Sequence, residues 1–307
     1  MILEVEGFLN INKPDGITSA EVVRIIKRNL KVKKIGYIGT LDPIARGVLV
    51  VAMGRATRFV HFLEKHSKEY EAIMSLGSET DTQDRTGKIL NEADPSSVTE
   101  AEIIKVMSSY KGQTLQVPPM YSAKKIDGKR LYVLARQGLS VKREALPINV
   151  SEIKFISKSS SEVRFIAKVS AGAYLRTLCH DMGLTLGVYA HLKCLTRLRA
   201  GNFHLIKSIE LDSLSSSEGL DAQDGFLSIS EGLSHMSKAI VISHAEERVI
   251  NGMPIGVSDI LKYQDNNGEL LTRIHDKNGR FFGVGMAEGP PLAGFPFGSI
   301  KPKRVLT

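Results

Sequence analysis

Lys34-Ile35-Gly36-Tyr37-Ile38-Gly39-Thr40-Leu41-Asp42-Pro43-Ile44-Ala45-Arg46-Gly47-Val48-Leu49 sets one carboxylate, Asp42, in a bend framed by glycine and proline between two apolar segments. Gly36, Gly39 and Gly47 tolerate backbone angles that other residues resist, and Pro43 fixes its own φ, so the loop is shaped rather than slack. An Asp before Pro is a common turn, and the spacing alone says no more than that.

Working outward, Gly7 to Ile11 reads as a short strand, followed by a Pro14-Asp15-Gly16 turn. Thr18 and Ser19 cap a helix that runs to about Leu30. After the Asp42 bend, Val48 to Met53 is an apolar run suited to a buried strand, and a helix bearing Ala56, Phe59, Val60, Phe62 and Leu63 is expected next. Lys68 to Leu76 alternates like a strand. Thr99 to Tyr110 is a helix opened by a capping box, Thr99 with Glu102. Val150 to Val169 reads as a hairpin across Ser157 to Ser161, and Leu175 to Leu186 as a helix. From Ile209 to Ser234 the chain turns to Ser, Asp and Gly, the pattern of a connection. Beyond it, Leu270 to Ile274 and Arg280 to Met286 flank Asp276-Lys277-Asn278-Gly279, a strong hairpin signal in a small β-rich unit.

The 307 residues suffice for about two domains. Hydrophobic content of 42% and charged content of 24% are those of an ordinary globular protein. Lys and Arg number 41 against 33 Asp and Glu, a net charge of +8 that suits a polyanionic partner without proving one. Two cysteines, Cys179 and Cys194, neither staple a secreted fold nor build a metal site. The N-terminus carries no signal-peptide pattern and no apolar run approaches the length of a membrane span, so a cytoplasmic protein without a membrane partner is expected. His61, His66, His180 and His191 lack close ligand spacing, and no metal is expected. No phosphate-binding glycine loop and no G-x-S-x-G is present.

Taken singly, the remaining candidates are dull. Tyr70 in a strand is ordinarily packing, and Arg176 in a first helical turn is ordinarily solvated. Together with the Asp42 string they form a set. The string G-x-x-G-T-L-D-P-x-A-x-G-x-L, N-K-P-x-G-x-T-S (Asn12 to Ser19), K-x-Y-x-A (Lys68 to Ala72) and T-D-T-x-D-x-x-G (Thr80 to Gly87) occur in order. P-P-x-Y-S-A-x-K-x-x-G (Pro118 to Gly128), Y-x-R-T-L-x-x-D-x-G (Tyr174 to Gly183) and L-x-R-x-x-x-G-x-F (Leu195 to Phe203) follow. In this collinear set the chain resembles the TruB family of bacterial tRNA pseudouridine synthases.

The resemblance implies isomerisation of the T-loop uridine at position 55 of tRNA, with base flipping and no cofactor. Asp42 would be the nucleophile, since a carboxylate is ionised at neutral pH without activation. Attack at C1′, attack at C6 and formation of a glycal all stay open. Arg176 would pair with Asp42 as a bidentate fork. Tyr70 would stack on the flipped base and assist proton removal from C5, and Tyr174 and Leu195 would line the uracil pocket. The family usually carries His where Tyr37 stands. An aromatic ring there would fill the space the flipped bases leave. Asp84 and Arg136 are expected to hold Arg176 in place. Lys124, Lys125, Lys129, Arg130, Lys142 and Arg143 are expected to grip phosphates; Asn12, Lys13 and Pro14 read as architectural.

The fold expected is α+β: a mixed-sheet catalytic domain over residues 1–234, with an inserted RNA-gripping segment at about 112–146. A β-rich, PUA-like pseudo-barrel over 235–307 would face the acceptor end of the tRNA. A monomer with no obligate protein partner is expected. Two alternatives remain: an RNA-binding or tRNA-folding protein with incidental catalysis, and a pseudouridine synthase directed by a guide RNA.

Overall fold

Ala190–Ala200, the strand that decides the topology, pairs parallel to Ala45–Met53 on one side and antiparallel to Lys68–Leu76 on the other. The computed structural model in which this is seen describes residues 5–126, 128–214, 219–220 and 224–306. Its main sheet continues from Ala45–Met53 to Gly7–Lys13 and Ile209–Glu210, and from Lys68–Leu76 to Glu162–Val169, Leu146–Ser159 and Gly112–Gln116. Ile35–Ile38 runs antiparallel to Ala45–Met53, so the Asp42 bend is the connection of a wide hairpin. The sheet is mixed, as the sequence suggested.

Helices cover one face. Helix α1 (Ser19–Leu30) is capped by Thr18, whose hydroxyl accepts from the Glu21 amide, and it buries Val22, Ile26 and Leu30 at helical spacing. Its chain exits through Lys31 at φ 53°. Helix α2 (Glu100–Ser109) opens with the Thr99–Glu102 capping box, and α3 (Leu131–Arg136) is a short helix in the inserted segment. Helix α4 (Leu175–Leu186) buries Leu175, Leu178, Cys179 and Met182 and stops at Gly187. Along Lys68–Leu76 the inward residues are Tyr70, Ala72, Met74 and Leu76, and they meet α1, α2 and α4 in one continuous core. Each fully buried side chain of this size contributes about 1.5–3 kcal/mol relative to exposure.

The opposite face closes a second core. Phe8, Val48, Val50, Phe59 and Phe203 pack with Leu233, Met236 and Val284, which joins the main sheet to a six-stranded C-terminal sheet. In that sheet Ser237–Val241 pairs parallel with Leu271–His275 and antiparallel with Ile260–Gln264. Leu271–His275 pairs in turn with Phe281–Glu288, across the turn read from Asp276-Lys277-Asn278-Gly279. The curled sheet has its own core around Phe282, Phe297 and Ile300 and is consistent with a PUA-like half-barrel.

The helix expected after Met53 is present as a 3₁₀ helix, Gly54–Phe62. The Thr57 hydroxyl bonds back to the Gly54 carbonyl at 2.8 Å, a side-chain bond that favours the tighter winding. The stretch from Ile209 is not a free connection. Ile209–Glu210 adds beside the first strand, Phe226–Leu227 pairs with it from the other direction, and Leu211, Leu214 and Leu220 are buried in the main core. The serine-rich residues 215–218 lie outside the described residues.

Candidate active site

The Asp42 bend is held at its root by two buried cations. Lys13, fully buried, donates from Nζ to the carbonyl oxygens of Pro14 at 2.8 Å, Pro43 at 3.3 Å and Ala45 at 2.7 Å. Burial lowers its pKa from 10.5 to about 8, against the opposing pull of Asp15 and Asp42. Arg197, also buried, donates to the Val48 carbonyl at 2.6 Å and to the Gly39 carbonyl at 3.0 Å. The Ser19 hydroxyl lies against Leu41, accepting from its amide at 2.9 Å and donating to its carbonyl at 3.0 Å. Gly47 sits at φ +99°, and a Cβ there would land on the Arg197 carbonyl oxygen. The loop is therefore preorganised by three elements outside it.

On this frame Asp42 meets Arg176. Arg176 Nε donates to Asp42 Oδ2 at 2.8 Å and Nη2 to Oδ1 at 3.3 Å, a two-toothed contact. The guanidinium is only 3% exposed, whereas the Asp42 carboxylate is 33% exposed and open to a ligand. Two further donors of Arg176 are used on the chain: Nη1 on the Thr82 carbonyl at 2.9 Å and Nη2 on the Tyr121 carbonyl at 2.9 Å. Asp84 approaches Arg176 Nε at 3.8 Å. Its other oxygen accepts from the Thr86 amide at 2.9 Å and the Thr82 hydroxyl at 2.8 Å, which fixes the turn that presents Thr82. One guanidinium thus gathers the Asp42 bend, the Thr80–Gly87 turn and the start of the inserted segment.

The walls come from the sheet. Tyr70 is 7% exposed, in register with Arg197 on one side and Ala167 on the other. Leu195 lies between Ala45 and Ala72, and all belong to the core beneath the bend with Leu41 and Ile44. Tyr174 precedes Arg176 at the entry to α4, and burial raises its phenol above the ordinary value. Tyr37 is half-buried and packs on the same core from its strand.

The basic residues of the inserted segment divide. Lys125, Lys129, Arg130 and Lys142 are exposed, and Lys124 is half-buried. Lys125–Ile126 and Lys129–Arg130 form a small hairpin that leads into α3. Arg143 instead turns inward, donating to the Pro118 carbonyl at 3.1 Å, and so ties the two ends of the insertion together. Arg136 does not hold Arg176. It is exposed and lies over the Tyr132 ring at 5.6 Å, on the same ring that Arg130 meets at 6.0 Å. Helical spacing puts position 136 a turn beyond Tyr132, which supplies the nearer partner.

Sequence reasoning gave Lys13 only an architectural part, Ser19 only a capping part and Arg197 only a place in a motif, and it singled out nothing at Gln116. Arg197 left a signal: a cation on a strand whose neighbouring inward positions are apolar needs a buried partner. Among the described residues no group of three or more His, Cys, Asp and Glu side chains is arranged to hold a metal.

An ionisable carboxylate, half-screened and held by a guanidinium above an aromatic and aliphatic floor, can attack or stabilise an electrophilic carbon of a planar ring system. Comparison with known proteins agrees with that chemistry. Residues 27–175 match the TruB family pseudouridylate synthase N-terminal domain, and residues 176–226 the tRNA pseudouridylate synthase B C-terminal domain. The chain is 43% identical over 288 residues to tRNA pseudouridine synthase B of Clostridium novyi, covering 94% of this chain and 98% of that protein. It is 34% identical over 307 residues to the protein of the same name from Stutzerimonas stutzeri, covering 99% and 96%. Among solved structures, that of a Cbf5-Nop10-Gar1 complex contains a chain with TM-score 0.75 and 29% identity, covering 97% of this chain and 84% of that one. Another, of an H/ACA RNP bound to a substrate RNA containing 2′-deoxyuridine, gives TM-score 0.75 at 27% identity, covering 98% and 85%. With the Asp42–Arg176 pair standing inside the matched region, this chain belongs to the TruB family of pseudouridylate synthases.

Proposed function

We propose that the chain isomerises a uridine of tRNA to pseudouridine, at position 55 of the T-loop, with Asp42 as the nucleophile. The observation that carries this reading is the Asp42–Arg176 pair, in which a buried guanidinium orients a carboxylate that remains open to solvent. In the reaction the C1′–N1 bond of the uridine breaks, the uracil turns, and a C1′–C5 bond forms. The C5 hydrogen leaves as a proton and N1 gains one, so substrate and product are isomers and no oxidant or cofactor is consumed. Asp42 needs no activating base, because a carboxylate is already ionised at neutral pH. Tyr70 stacks beneath the extruded base and assists removal of the C5 proton, while Tyr174 and Leu195 bound the ring.

A target inside a folded RNA loop must leave its stack to reach Asp42, and Tyr37 takes part of the space it vacates. Lys124, Lys125, Lys129, Arg130 and Lys142 grip the backbone around the target loop. Residues 1–234 form the catalytic unit and 235–307 the PUA-like RNA-binding unit. The protein acts in the cytoplasm as a monomer.

The names of the relatives, tRNA pseudouridine synthase B at 34–43% identity over most of the chain, support tRNA as the substrate class. The structural likeness to Cbf5 in its complexes raises the guide-RNA reading. Its identity is lower, 27–29%, and the fuller match to the tRNA enzymes favours direct recognition of tRNA.

Tritium release from tRNA transcripts labelled at uridine C5 tests the proposal. Wild-type protein is expected to release tritium only where position 55 is uridine, and Asp42→Asn to release none. The affinity of that variant for tRNA is expected to fall less than about tenfold. Equal loss of binding and release would remove Asp42 from the role of nucleophile. Release that appears only with an added guide RNA would support the other reading.

A further inference from the structure

Gln116 is the last residue of the edge strand Gly112–Gln116, where the chain leaves the sheet for the inserted segment. A polar amide at a strand end is ordinarily solvated, yet Gln116 is 3% exposed. Both ends of its side chain are spent on one residue. Nε2 donates to the Tyr174 carbonyl at 3.0 Å, and Oε1 accepts from the Tyr174 amide at 2.8 Å. The pair copies the exchange of two bonds in a β-bridge, made by a side chain across 58 positions.

Tyr174 is the residue at which α4 begins, and it offers no side-chain cap of its own. Arg176 follows in the first turn. The guanidinium that faces Asp42 is thus set by a helix entry that Gln116 holds. The inserted segment touches the same point a second time, because the Tyr121 carbonyl accepts from Arg176 Nη2. The root of the insertion is tied to the Arg176–Asp42 pair at two places, one on the backbone entry and one on the side chain.

We infer that Gln116 is a positioning residue that couples the seating of the inserted segment to the orientation of Arg176, and through it of Asp42. The inference rests on the pseudouridine synthase reading given above. Movement of the insertion that pulls on the strand end or on the Tyr121 carbonyl reaches the same guanidinium. A displacement of about 1 Å at a reacting group costs on the order of 100-fold in rate.

Gln116→Leu keeps the volume and removes both bonds. We expect kcat for tritium release to fall about 10- to 100-fold with KM for tRNA changed less than about threefold. Gln116→Glu gives a readout that simple destabilisation does not move. A protonated carboxyl accepts from the Tyr174 amide and donates to its carbonyl, whereas an ionised one sets a second negative oxygen against that carbonyl. The ratio of Gln116→Glu to wild-type activity is therefore expected to be at least about threefold higher at pH 6 than at pH 8, since desolvation raises a buried carboxyl into that range.

Amide exchange of Tyr174 supplies the arm that does not depend on activity; it should quicken in Gln116→Leu in the absence of RNA. A ratio that is the same at both pH values, a Gln116→Leu loss confined to KM, or unchanged exchange at Tyr174 would each overturn the coupling. Quickened exchange in a protein whose wild type releases no tritium would instead reject the enzymatic reading and leave the clamp standing.

Discussion

Lys13 Nζ donates to the Ala45 carbonyl oxygen at 2.7 Å, closing the base of the bend that presents Asp42. The same ammonium reaches the carbonyls of Pro14 and Pro43, so a single buried side chain ties the end of the first strand to two carbonyls of the bend. Lys13→Met keeps the apolar stem and removes their shared donor, leaving Pro43 with only the bond from the Gly16 amide at 2.8 Å. Unpaired buried carbonyls cost about 1–3 kcal/mol each, which here sums to about 2–4 kcal/mol after relaxation. The expected result is a melting midpoint lowered by about 5–10 °C, with kcat reduced more than tRNA affinity. The pH dependence has a definite sign. The folded-state pKa is lowered to about 8 from 10.5, so between those values the unfolded chain binds more protons than the folded one. Stability of the wild type relative to Lys13→Met should therefore rise as pH climbs from 8 towards 10.5, as melting curves of both proteins at pH 7.5 and 9.5 would reveal.

Arg176 makes four bonds with one planar group, two to Asp42 and one each to Thr82 and Tyr121. Lysine supplies a point charge and a shorter reach, so Arg176→Lys keeps the sign of the field and loses the fork. Tritium release by this variant is expected to drop by about 100-fold or more, with tRNA binding within about tenfold of wild type. Retention of more than a tenth of the wild-type rate would mean that charge, not orientation, is what Arg176 supplies.

Local features were readable from the residues. Thr18 and the Thr99–Glu102 box announced α1 and α2, and Asn278-Gly279 announced the turn between the strands at 271–275 and 281–288. What escaped was long-range. An apolar alternation at 190–200 is the same whether its neighbour runs parallel or antiparallel, so the pairing of Leu195 with Ala45 had no local sign. The Asp42–Arg176 partnership was suggested by resemblance, and the geometry sets the two side chains together. Lys13, Arg197 and Gln116 belong to residue types that ordinarily face water, and the backbone hydrogen-bond partners assembled around them explain their burial. Arg136 shows the converse. Its charge and its place in the insertion pointed to Arg176, but Tyr132 on its own helix stood nearer.

His66 and His235 meet edge to face at 4.1 Å where the main sheet joins the C-terminal unit. His66 faces Lys68 and Glu269 as well, and His235 faces Arg273. Burial lowers both, His235 to about 4, with the neighbouring cations acting in the same direction. The unfolded chain takes up protons below pH 6.5 that the folded one refuses until about 4, so this contact loses stability as pH falls through that window. His235→Phe preserves the edge contact and removes one proton site. The drop in melting midpoint between pH 7 and pH 5 should be smaller in the variant than in the wild type. His275, lowered to about 4 in the same unit, keeps part of the slope in place.

The cations of the inserted segment should separate by what they face. Lys125, Lys129 and Lys142 are exposed, and neutralising a phosphate contact from each removes counterion release without disturbing the fold. Substitution of any one by Gln is expected to lower the slope of log affinity against log salt by about one and to leave the melting midpoint in place. Arg143 points inward to the Pro118 carbonyl and braces the two ends of the segment. Arg143→Gln should leave the salt slope nearly unchanged. Its loss of affinity should persist at high salt, where phosphate contacts are screened, because a loosened segment has to be ordered again at each binding event. Filter binding of tRNA across a salt series, run on all four variants, distinguishes the two classes. A slope reduced by Arg143→Gln as much as by Lys129→Gln would mean that the bond to Pro118 breaks when RNA arrives, freeing Arg143 for a phosphate.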